Sequence, residues 1–463
     1  MTGDGTPGSD GAVPDPPVED LDRLLHRWMP AQRWYPAKGR GVALRRAGAL
    51  ALPSPDPDAV VETVVVELDS GDRRDVVQVP LTFRSRPLDG AGPALLGRTD
   101  RPGTGPAWVY DGPHDPAFVD ALLAALEPAP GRTGWQGSAV SRVLSGEQSN
   151  TSIIVGDTPL DDGRPADPLI VKVFRTLHPG ANPDVEVLAA LAALGTRHVP
   201  GLVGWLEGRW TARDGTEHSG HLAVATEFLP GSQDAWREAT AAVAQGRDFS
   251  AEARGLGEAT AEVHLALAEA FGTTEADEEV RAALLAGLRD RIAWAQRSSD
   301  ALGGWAEQLR AHRDRLDLLT DLPPLQRVHG DYHLGQVLHA PGRGWVLLDF
   351  EGEPLRPLEE RTRPDLALRD VAGMLRSFDY AARHVTVGRD DPGAEAAADA
   401  WADAARDAFC DGYAAQAGRD PREHEDLLAA LELDKALYEV VYESRNRPAW
   451  VDVPLHAVRR LLG

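Results

Sequence analysis

With 463 residues, the chain exceeds the length at which a single hydrophobic core usually stops growing, so we expect two or three structural units. Its 72 acidic and 48 basic residues give a formal charge of -24, which argues against a nucleic-acid partner and against binding to an anionic membrane. Cys410 is the single cysteine, which excludes an internal disulfide framework and favours a reducing, cytoplasmic compartment.

The amino-terminal part of the chain predicts a tail, a helix and a β-rich subdomain. Residues 1–19 are rich in Gly, Pro and Asp and predict a disordered tail. After a short helix from Asp20 to Trp28, "VVETVVVELDSGDRRDVVQVPLTF" contains two runs of β-branched residues around a turn signal, which is the pattern of a hairpin. The Gly/Pro/Ala-rich stretch that starts at Asp89 predicts a boundary near residue 90, so the first subdomain covers residues 20–90.

Two larger units are predicted after this boundary. Residues 91–229 contain the apolar runs "SAVSRVL", "TSIIVG", "PLIVKVF" and "HLAVATEFLPG", which predict an intermediate β-rich subdomain. Residues 230–463 show mostly helical spacing, with short strand patterns near residues 322–350. The predicted fold class is therefore α+β, and catalysis is expected where the β-rich and helical halves meet.

The segment "RVHGDYHLGQVL" allows several kinds of site. His329 and His333 have the i, i+4 spacing of a zinc-binding helix, but Gly330 stands where the catalytic Glu is required and Gly335 disfavours a continuing helix. A serine hydrolase needs a G-x-S-x-G elbow, which the chain lacks. A buried histidine pair with capping aspartates is a further, purely structural alternative.

A phosphotransferase loop explains more of this segment. Protein kinases carry H-R-D-x-x-x-x-N followed by D-F-G, in which the first Asp accepts a hydroxyl proton and the amide and the second Asp bind Mg²⁺. Here Asp331 and Gln336 have the same spacing, and Asp349 opens "DFEG". The apolar runs around them predict a hairpin that brings the three side chains together, which suits Mg²⁺ because it prefers a few oxygen ligands.

The kinase interpretation requires a lysine and a carboxylate upstream. Lys172 lies in the middle of the apolar strand "LIVKVF", where a charge is costly unless it is paired. Glu186 in "NPDVEVLAALAAL" is the candidate partner, and together they would position the nucleotide phosphates. Taken singly, Lys172 could be an edge-strand lysine and Glu186 a solvated helix residue.

Two loops complete the predicted nucleotide site. "SGEQSNTS" lies between two predicted strands, and Ser149, Asn150 and Thr151 could donate hydrogen bonds to phosphates, although the segment matches no Walker motif and could be an ordinary hairpin turn. The segment "VATEFLPGS" resembles a hinge between lobes, with the backbone of Glu227 to Leu229 facing the adenine.

The sequence resembles the actinobacterial maltokinases, within the superfamily of aminoglycoside-phosphotransferase-like kinases. The resemblance runs from "RWYPAKGR" to the carboxyl terminus and is carried by "EQSNTS", "VKVFR", "NPDVE", "RVHGDYHLGQVL", "LLDFEGEP", "PLEERTRPDLALRDVAGMLRSFDYAA", "FCDGYA" and "ELDKALYEVVYESRNRPAW". It implies a bilobal protein-kinase-like fold with an amino-terminal cap, for which the subdomain of residues 20–90 is the candidate. Trp34 and Tyr35 are expected to pack within this cap.

The resemblance also implies an activity and roles for residues. The activity is ATP-dependent phosphorylation of maltose at its anomeric hydroxyl, giving α-maltose 1-phosphate for glycogen or α-glucan synthesis, with ATP and Mg²⁺ as cofactors. Asp331 would be the catalytic base, Gln336 and Asp349 would hold Mg²⁺, and Lys172 with Glu186 would position the nucleotide. His329 and Asp370 would support the catalytic loop.

Sugar recognition is predicted in "LELDKALYEVVYESRNR". At about 100° per residue, Lys435, Tyr438 and Tyr442 share one helix face. Four aliphatic residues fall nearly opposite, on an expected core face: Leu433, Leu437, Val440 and Val441. Tyrosines stack on sugar rings and lysine binds sugar oxygens, and these positions match the sugar-facing ones of maltokinases. The alternative is a solvated face with incidental tyrosines.

Two other functions remain open at this point. A glucosamine kinase or another aminoglycoside-phosphotransferase-like small-molecule kinase would use the same scaffold, and a catalytically inactive kinase-like binding module would share its fold. Maltose is the expected small-molecule partner, a trehalose-to-maltose isomerase is a candidate protein partner, and a monomer or weak homodimer is expected; the sequence decides neither the oligomeric state nor that association.

Overall fold

The computed structural model describes residues 15–101, 105–132, 140–144, 149–156, 168–353, 358–388 and 391–463. Most of the predicted tail and residues 145–148 of the predicted phosphate loop lie outside these ranges. Among the described helices, none combines the length and the apolar character that a membrane crossing requires. The chain forms two compact units, of which unit 1 is Met1–Gly180 with Val203–Thr226 and unit 2 is Ala181–Leu202 with Glu227–Gly463.

Unit 1 begins with a five-stranded antiparallel sheet and two helices. Its elements are α1 (Leu21–Trp28), β1 (Ala43–Leu52), β2 (Ala59–Asp69), β3 (Arg74–Arg84), β4 (Leu95–Arg101), β5 (Gly105–Asp111) and α2 (Pro116–Ala125), with strand order β1-β2-β3-β5-β4. The predicted hairpin is β2–β3, closed at the pair Asp69 and Arg74. The Gly/Pro-rich stretch near residue 90, where the sequence predicts a subdomain boundary, connects β3 and β4. Because these two strands belong to one sheet, the stretch is a loop within that sheet.

The core of this first sheet explains the sequence "RWYPAKGR". Trp34 and Tyr35 are buried and pack in one cluster with Leu24 and Leu25 of α1 and with the inward-facing valines of β2 and β3. Burying a large apolar side chain contributes about 1.5–3 kcal/mol. Both aromatic residues therefore belong to the core, as the sequence predicts.

The second sheet of unit 1 has six strands. They are β6 (Glu127–Pro128), β7 (Ser141–Val143), β8 (Asn150–Val155), β9 (Leu169–Phe174), β10 (Leu202–Thr211) and β11 (Glu217–Glu227), in the order β6-β10-β11-β9-β8-β7. In the β8–β9 pair, Lys172 lies opposite Ser152 and Val173 lies opposite Thr151.

Unit 2 is mostly helical, with short strands between the helices. Its elements are α3 (Pro183–Ala193), β12 (Gln233–Asp234), α4 (Ala235–Gln245), α5 (Ser250–Phe271), β13 (Thr273–Thr274), α6 (Glu278–Ser298), α7 (Ala306–Arg315), β14 (Leu325–Gln326), β15 (Val337–Ala340), β16 (Gly344–Leu347), α8 (Leu358–Arg361), β17 (Asp365–Leu366), α9 (Ala367–Thr386), α10 (Pro392–Ala417), α11 (Glu425–Asn446) and α12 (Asp452–Leu462). The α+β fold predicted from the sequence is confirmed.

Close helix packing in unit 2 depends on two glycines. A Cβ on Gly257 of α5 would lie 2.0 Å from the Phe409 carbonyl oxygen, and one on Gly412 of α10 would lie 2.0 Å from the Arg254 carbonyl oxygen. The backbones of α5 and α10 can meet this closely because neither residue has a side chain. Cys410 is buried at this contact, and burial raises the pKa of its thiol to about 12, which is consistent with a packing role.

Candidate active site

The loop between β14 and β15 is held by a buried carboxylate. Asp370, in the first turn of α9, accepts hydrogen bonds from the backbone N–H groups of His329 (2.7 Å) and Gly330 (2.9 Å), one on each oxygen. The turn itself needs Gly330, whose φ is +82°. These bonds fix the backbone that leads directly into Asp331.

Asp370 is in turn supported from α5 and α10. The His264 imidazole Nε2 lies 3.1 Å from Asp370 Oδ2, and its Nδ1 lies 3.0 Å from the hydroxyl of Tyr413. Burial alone would raise the pKa of Asp370, but the hydrogen bond and charge of His264 outweigh it and lower the pKa overall. The carboxylate that holds the loop is therefore ionised. No sequence pattern indicated His264 or Tyr413, because their contact depends on how α5 and α10 pack.

His329 shapes the loop through both ring nitrogens. Nε2 lies 2.8 Å from the carbonyl oxygen of Leu348, so it carries the proton and donates. Nδ1 then accepts from the backbone N–H of Asp331 at 3.3 Å. His329 thus links the loop to the end of β16, which agrees with the supporting role expected for it rather than with a metal ligand.

The side chain of Asp331 is partly buried and faces α11. Its Oδ1 lies 3.5 Å from the ammonium nitrogen of Lys435. The next residue, Tyr332, is fully buried and its hydroxyl lies 2.7 Å from that of Thr260. A Cβ on Gly373 would lie 2.5 Å from the Tyr332 carbonyl oxygen, so this glycine lets α9 approach the loop. Asp331 is therefore carried on a backbone that packing restrains on both sides.

His333 lies between the predicted base and the start of β15. Its Nδ1 accepts from the backbone N–H of Gly335 at 3.1 Å. Burial lowers the pKa of His333; the nearby Asp331 opposes this effect and Lys435 adds to it. The imidazole is therefore neutral and serves as a cap for the turn that contains Gln336.

The hairpin predicted to unite the metal ligands is β15–β16, with Val337 opposite Leu347. Gln336 precedes the first strand, and its carbonyl oxygen accepts from the backbone N–H of Leu348 at 2.9 Å. Asp349 follows the second strand with a left-handed φ of +62°, a conformation that Asp tolerates better than most residues. The predicted hairpin is therefore present, with Gln336 just before its first strand and Asp349 two residues after its second, and the metal role of both residues stays a prediction.

Two carboxylates that the sequence analysis did not assign lie beside Asp349. Oxygen atoms of Asp184, Asp349 and Glu351 all lie within 4.8 Å of one another, a donor set that fits a hard divalent cation. Asp184 is buried in the first turn of α3 and accepts from the backbone N–H of Phe350 at 3.0 Å. The sequence contains a pattern that could have indicated these two carboxylates, because "NPDVE" and "DFEGEP" each contain an acidic residue besides the assigned one.

One cation lies among these acidic groups. Arg361 of α8 packs over Gly352, where an added Cβ would lie 3.1 Å from the Arg361 Cβ. Burial lowers the pKa of its guanidinium, while Glu351, Asp349, Glu353 and Asp331 oppose that effect. Arg361 therefore balances part of the negative charge around Asp349.

Glu186 has a different partner from Asp184. Its Oε2 lies 3.3 Å from Arg327 Nη2, and 41% of its side chain is exposed. The helix turn of α3 therefore directs Asp184 inward and Glu186 toward Arg327. The pairing of Glu186 with Lys172 stays a prediction.

The remaining predicted nucleotide residues are located as follows. Asn150 and Thr151 begin β8 and are buried, whereas Ser149 just before them is exposed. Lys172 is partly buried in β9, with its Nζ 5.9 Å from the ring centre of Phe174. In the predicted hinge, the Glu227 carboxylate pairs with Arg343, and the carbonyl oxygen of Leu229 accepts from Ser232.

The helix predicted to bind sugar is α11, and its two faces are as expected. The four aliphatic residues of the core face are buried: Leu433, Leu437, Val440 and Val441. On the other face, the Tyr438 ring stacks between Trp294 (6.3 Å between centroids) and Tyr442 (6.4 Å). The Arg291 guanidinium lies 5.4 Å from the Tyr438 ring centre.

This face borders two cavities, so the predicted residues do not line one pocket. A narrow crevice beside Gly330 is lined by Tyr438 and Lys435. A larger cavity of about 500 Å³ beside His333 is lined by Tyr442 and again by Lys435. Lys435 and Gly373 line both spaces, and Lys435 also contacts the predicted base Asp331.

The walls of the larger cavity are rich in aromatic rings. Trp236, Tyr380 and His384 line it together with Tyr442, and the Trp236 ring lies 6.0 Å from Tyr380 and 5.4 Å from His384. Glu439 and Glu443 also line it. The Glu439 carboxylate accepts from Arg376 at 2.6 Å, and the Glu443 carboxylate accepts from Tyr380 at 2.7 Å and from Arg447 at 2.5 Å. Aromatic faces and oriented polar groups of this kind bind sugars.

Parts of this chain match known protein families. Residues 28–115 match the maltokinase N-terminal cap domain, and residues 140–427 match the phosphotransferase enzyme family. The chain is 33% identical over 386 residues to a glucosamine kinase of Streptacidiphilus jiangxiensis, with 80% of this chain and 81% of that protein covered. It is 31% identical over 388 residues to a glucosamine kinase of Mycolicibacterium smegmatis, covering 77% and 90%.

A solved structure is also similar over nearly the whole chain. It is a glucosamine kinase in complex with glucosamine, ADP and inorganic phosphate, 28% identical, with a TM-score of 0.63 and coverage of 96% of this chain and 100% of that one. The family match covers more than half of the present chain and contains the loop of Asp331, the hairpin of Gln336 and Asp349, and Asp370. The chain therefore belongs to the phosphotransferase enzyme family and carries a maltokinase-type N-terminal cap domain.

Proposed function

We propose that this protein is a sugar kinase that transfers a phosphoryl group from ATP to the anomeric hydroxyl of maltose. The observation that carries the proposal is the position of Asp331, on a loop held by Asp370 and next to Lys435, which lines the cavity with the aromatic rings. A carboxylate in this position can accept the proton of a sugar hydroxyl as the phosphoryl group is transferred.

In this proposal the residues of unit 2 orient the reacting groups. Asp370 and His329 hold the backbone of Asp331, so the base loses little freedom when the sugar binds. Lys435 lies 3.5 Å from the Asp331 carboxylate and would donate to a sugar oxygen. Phosphoryl transfer depends mainly on such positioning and on charge stabilisation.

Mg²⁺ would be held by Gln336 and Asp349, as the sequence predicts, with Asp184 and Glu351 as further oxygen donors. When bound, the ion neutralises charge on the transferring phosphate. ATP as the donor is supported by the similarity to a glucosamine kinase that was solved with ADP. The proposed nucleotide residues are those of the sequence analysis: Lys172, Glu186, Ser149, Asn150, Thr151, Glu227 and Leu229.

Two observations favour a neutral disaccharide over an amino sugar. First, a sugar ammonium on the carbon next to the anomeric centre would come close to the Lys435 ammonium, and like charges repel. The carboxylates of the cavity offer little compensation, because Glu439 and Glu443 each already pair with an arginine. Second, a cavity of about 500 Å³ with four aromatic side chains exceeds the need of one hexose and suits a second ring.

Glucosamine is the second candidate acceptor. It is supported by the two relatives and by the solved structure, all of which are glucosamine kinases. These proteins are similar over most of the chain, so they support a sugar kinase strongly. They do not decide which sugar this protein phosphorylates. That choice depends on the charges of the residues around Asp331.

A coupled ADP-release assay with a panel of acceptors tests the proposal. Maltose, glucose, glucosamine and an aminoglycoside would be compared at the same ATP and Mg²⁺ concentrations. We expect the highest kcat/KM with maltose. A glucosamine kcat/KM well above that of maltose would replace the first candidate with the second, and no Mg²⁺-dependent ADP release with any acceptor would leave a kinase-like binding module.

A further inference from the structure

Arg175 is a buried cation that the proposed reaction does not use. It follows β9, the strand of Lys172, and its side chain is fully buried. Burying a guanidinium costs desolvation free energy unless several hydrogen-bond or ionic partners compensate for it. The partners of Arg175 therefore indicate its role. Within the described part of the chain, its hydrogen-bond and ring partners belong to unit 1.

The partners of Arg175 come from both sheets of that unit. Nη2 donates to both oxygens of Asp111 at 2.9 Å, at the end of β5 in the first sheet. Nε donates to the hydroxyl of Thr151 at 2.8 Å, in the first residues of β8 in the second sheet. The guanidinium also lies 4.9 Å from the ring centre of Trp34, in the core of the first sheet.

Backbone contacts at the same place join the two sheets. The backbone N–H of Gln78, in β3, donates to the Arg175 carbonyl oxygen at 2.9 Å, and that of Leu177 donates to the Val76 carbonyl oxygen at 2.8 Å. The Gln78 side chain donates to the carbonyl oxygens of Phe174 and Leu222. The chain just after β9 is thus attached to β3 of the cap domain.

We infer that Arg175 is a positioning residue through which the cap domain fixes the nucleotide-binding residues. It holds Thr151 from the side chain and the end of the Lys172 strand from the backbone, and it is itself held by Asp111 and Trp34 of the cap. The cap would then act on ATP binding rather than on the sugar. This inference rests on the proposed function, because it takes Thr151 and Lys172 as nucleotide residues.

The fork geometry of Arg175 is central to the inference. An arginine can donate to Asp111 through one nitrogen and to Thr151 through another at the same time, whereas a lysine has one nitrogen at a single position. Replacing Arg175 by lysine keeps the positive charge, but a lysine cannot bond to Asp111 in the first sheet and to Thr151 in the second through separate nitrogens. Replacing Asp111 by Asn keeps the shape and weakens the hold on the guanidinium.

The chain offers a matched control within the same domain. Arg84 contacts Asp115 through two nitrogens at 2.6 Å, and Asp115 is fully buried. This pair joins β3 to the start of α2, and neither residue contacts Arg175 or Thr151 through a hydrogen bond within the described chain. Asp115→Asn therefore weakens a buried cap ion pair that is not connected to the nucleotide residues.

The test compares Asp111→Asn, Arg175→Lys and Asp115→Asn in the full-length protein. KM for ATP, KM for the sugar, kcat and the thermal unfolding midpoint would be measured for each variant. We expect Asp111→Asn and Arg175→Lys to raise KM for ATP by about tenfold, with KM for the sugar within about twofold of the wild type. Asp115→Asn should lower the unfolding midpoint without raising KM for ATP.

The inference is overturned if Asp111→Asn and Arg175→Lys change KM for ATP no more than Asp115→Asn does, because the arginine would then be only structural. If Asp111→Asn does not fold, the comparison of Arg175→Lys with Asp115→Asn decides alone. Failure of the proposed function gives a different result, since the wild-type protein itself would then release no ADP with any sugar.

Discussion

The catalytic loop and the wall of the large cavity are built in opposite ways. Next to Asp331, the backbone N–H groups of His329 and Gly330 donate to Asp370, which is supported by His264, and the His329 ring bonds to the Leu348 carbonyl on the other side. The cavity wall carries aromatic and ionic side chains from several helices, and Tyr442 is 45% exposed. The loop proposed for phosphoryl transfer is therefore held locally by buried groups, whereas the side chains proposed to select the sugar are partly solvated and come from several helices.

The two regions are expected to differ in how freely their residues can change among related proteins. A short motif with buried supports depends on few neighbours for its geometry, so it can be retained while other parts of a fold change. In the proposed function, the acceptor is selected by side chains on the surface of α11 and its neighbours, which can change without loss of the fold. Substitutions in the loop should consequently affect turnover with every sugar, and substitutions in the wall should affect one sugar more than another.

The largest effect is expected from Asp331→Asn. The amide cannot accept the hydroxyl proton, so kcat should fall by about 10²- to 10⁴-fold or more with every acceptor. Binding of ATP, measured by calorimetry, should remain close to that of the wild type. Near-normal turnover in this variant would show that Asp331 is not the base.

Asp370→Asn should have the next largest effect. Two backbone N–H groups donate to Asp370, and the amide nitrogen of Asn would face one of them as a second donor. We expect kcat to fall about 10- to 100-fold with KM for the sugar little changed. Ser377→Ala is the control, because Ser377 accepts from Leu334 of the same loop at 3.1 Å but is neutral; it should lower kcat much less.

The stability difference between the wild type and Asp370→Asn should depend on pH. The pKa of Asp370 is lowered in the folded state, so its contribution to stability is present above the unfolded pKa of about 4 and is lost as the pH falls through the folded value. The difference in unfolding free energy between the wild type and Asp370→Asn should therefore be constant from pH 7 to pH 5 and shrink below pH 4. A difference that grows in acid would contradict an ionised Asp370.

Lys435→Gln should change the choice of sugar. Removing the cation beside Asp331 removes the repulsion of a sugar ammonium, so the ratio of kcat/KM for maltose to that for glucosamine should fall about tenfold. Arg291→Gln is the matched control, because Arg291 also lies near Tyr438 but pairs with Asp434 instead of Asp331. An equal change of the ratio in both variants would mean that general charge, and not the position of Lys435, sets the preference.

The smallest effect is expected from Tyr442→Ala. Loss of a half-exposed stacking ring should raise KM for maltose about three- to tenfold and leave kcat nearly unchanged. Glucose, which lacks the second ring, should be affected less than maltose. Trp108 lies in β5 of the cap domain, with its ring centre 5.2 Å from the Arg98 guanidinium carbon. Trp108→Ala therefore serves as the aromatic control and should leave both KM values unchanged.

The sequence predicted the structure around the candidate site best where the contacts are local. The spacing of Asp331, Gln336 and Asp349 and the hairpin between them follow from residues close in the chain, and so do the two faces of α11. It failed to identify His264 and Tyr413, which reach Asp370 from helices more than a hundred residues away from each other. No local pattern records such a contact.

Two other differences have a local physical reason. In α3, Asp184 and Glu186 both lie in the first turn, and only the packing of the helix decides that Asp184 turns inward while Glu186 meets Arg327. The Gly/Pro-rich stretch near residue 90 reads as a linker, but pairing of β5 with β3 keeps it inside one sheet. Composition alone cannot tell a loop within a sheet from a connection between subdomains.

The central claim is most directly tested by following the reducing end of maltose during the reaction. A phosphate on the anomeric hydroxyl blocks that end, so the protein, ATP and Mg²⁺ should consume one reducing end for each ADP released. ADP release with an unchanged number of reducing ends would contradict the proposal, because the phosphoryl group would then be on a different hydroxyl.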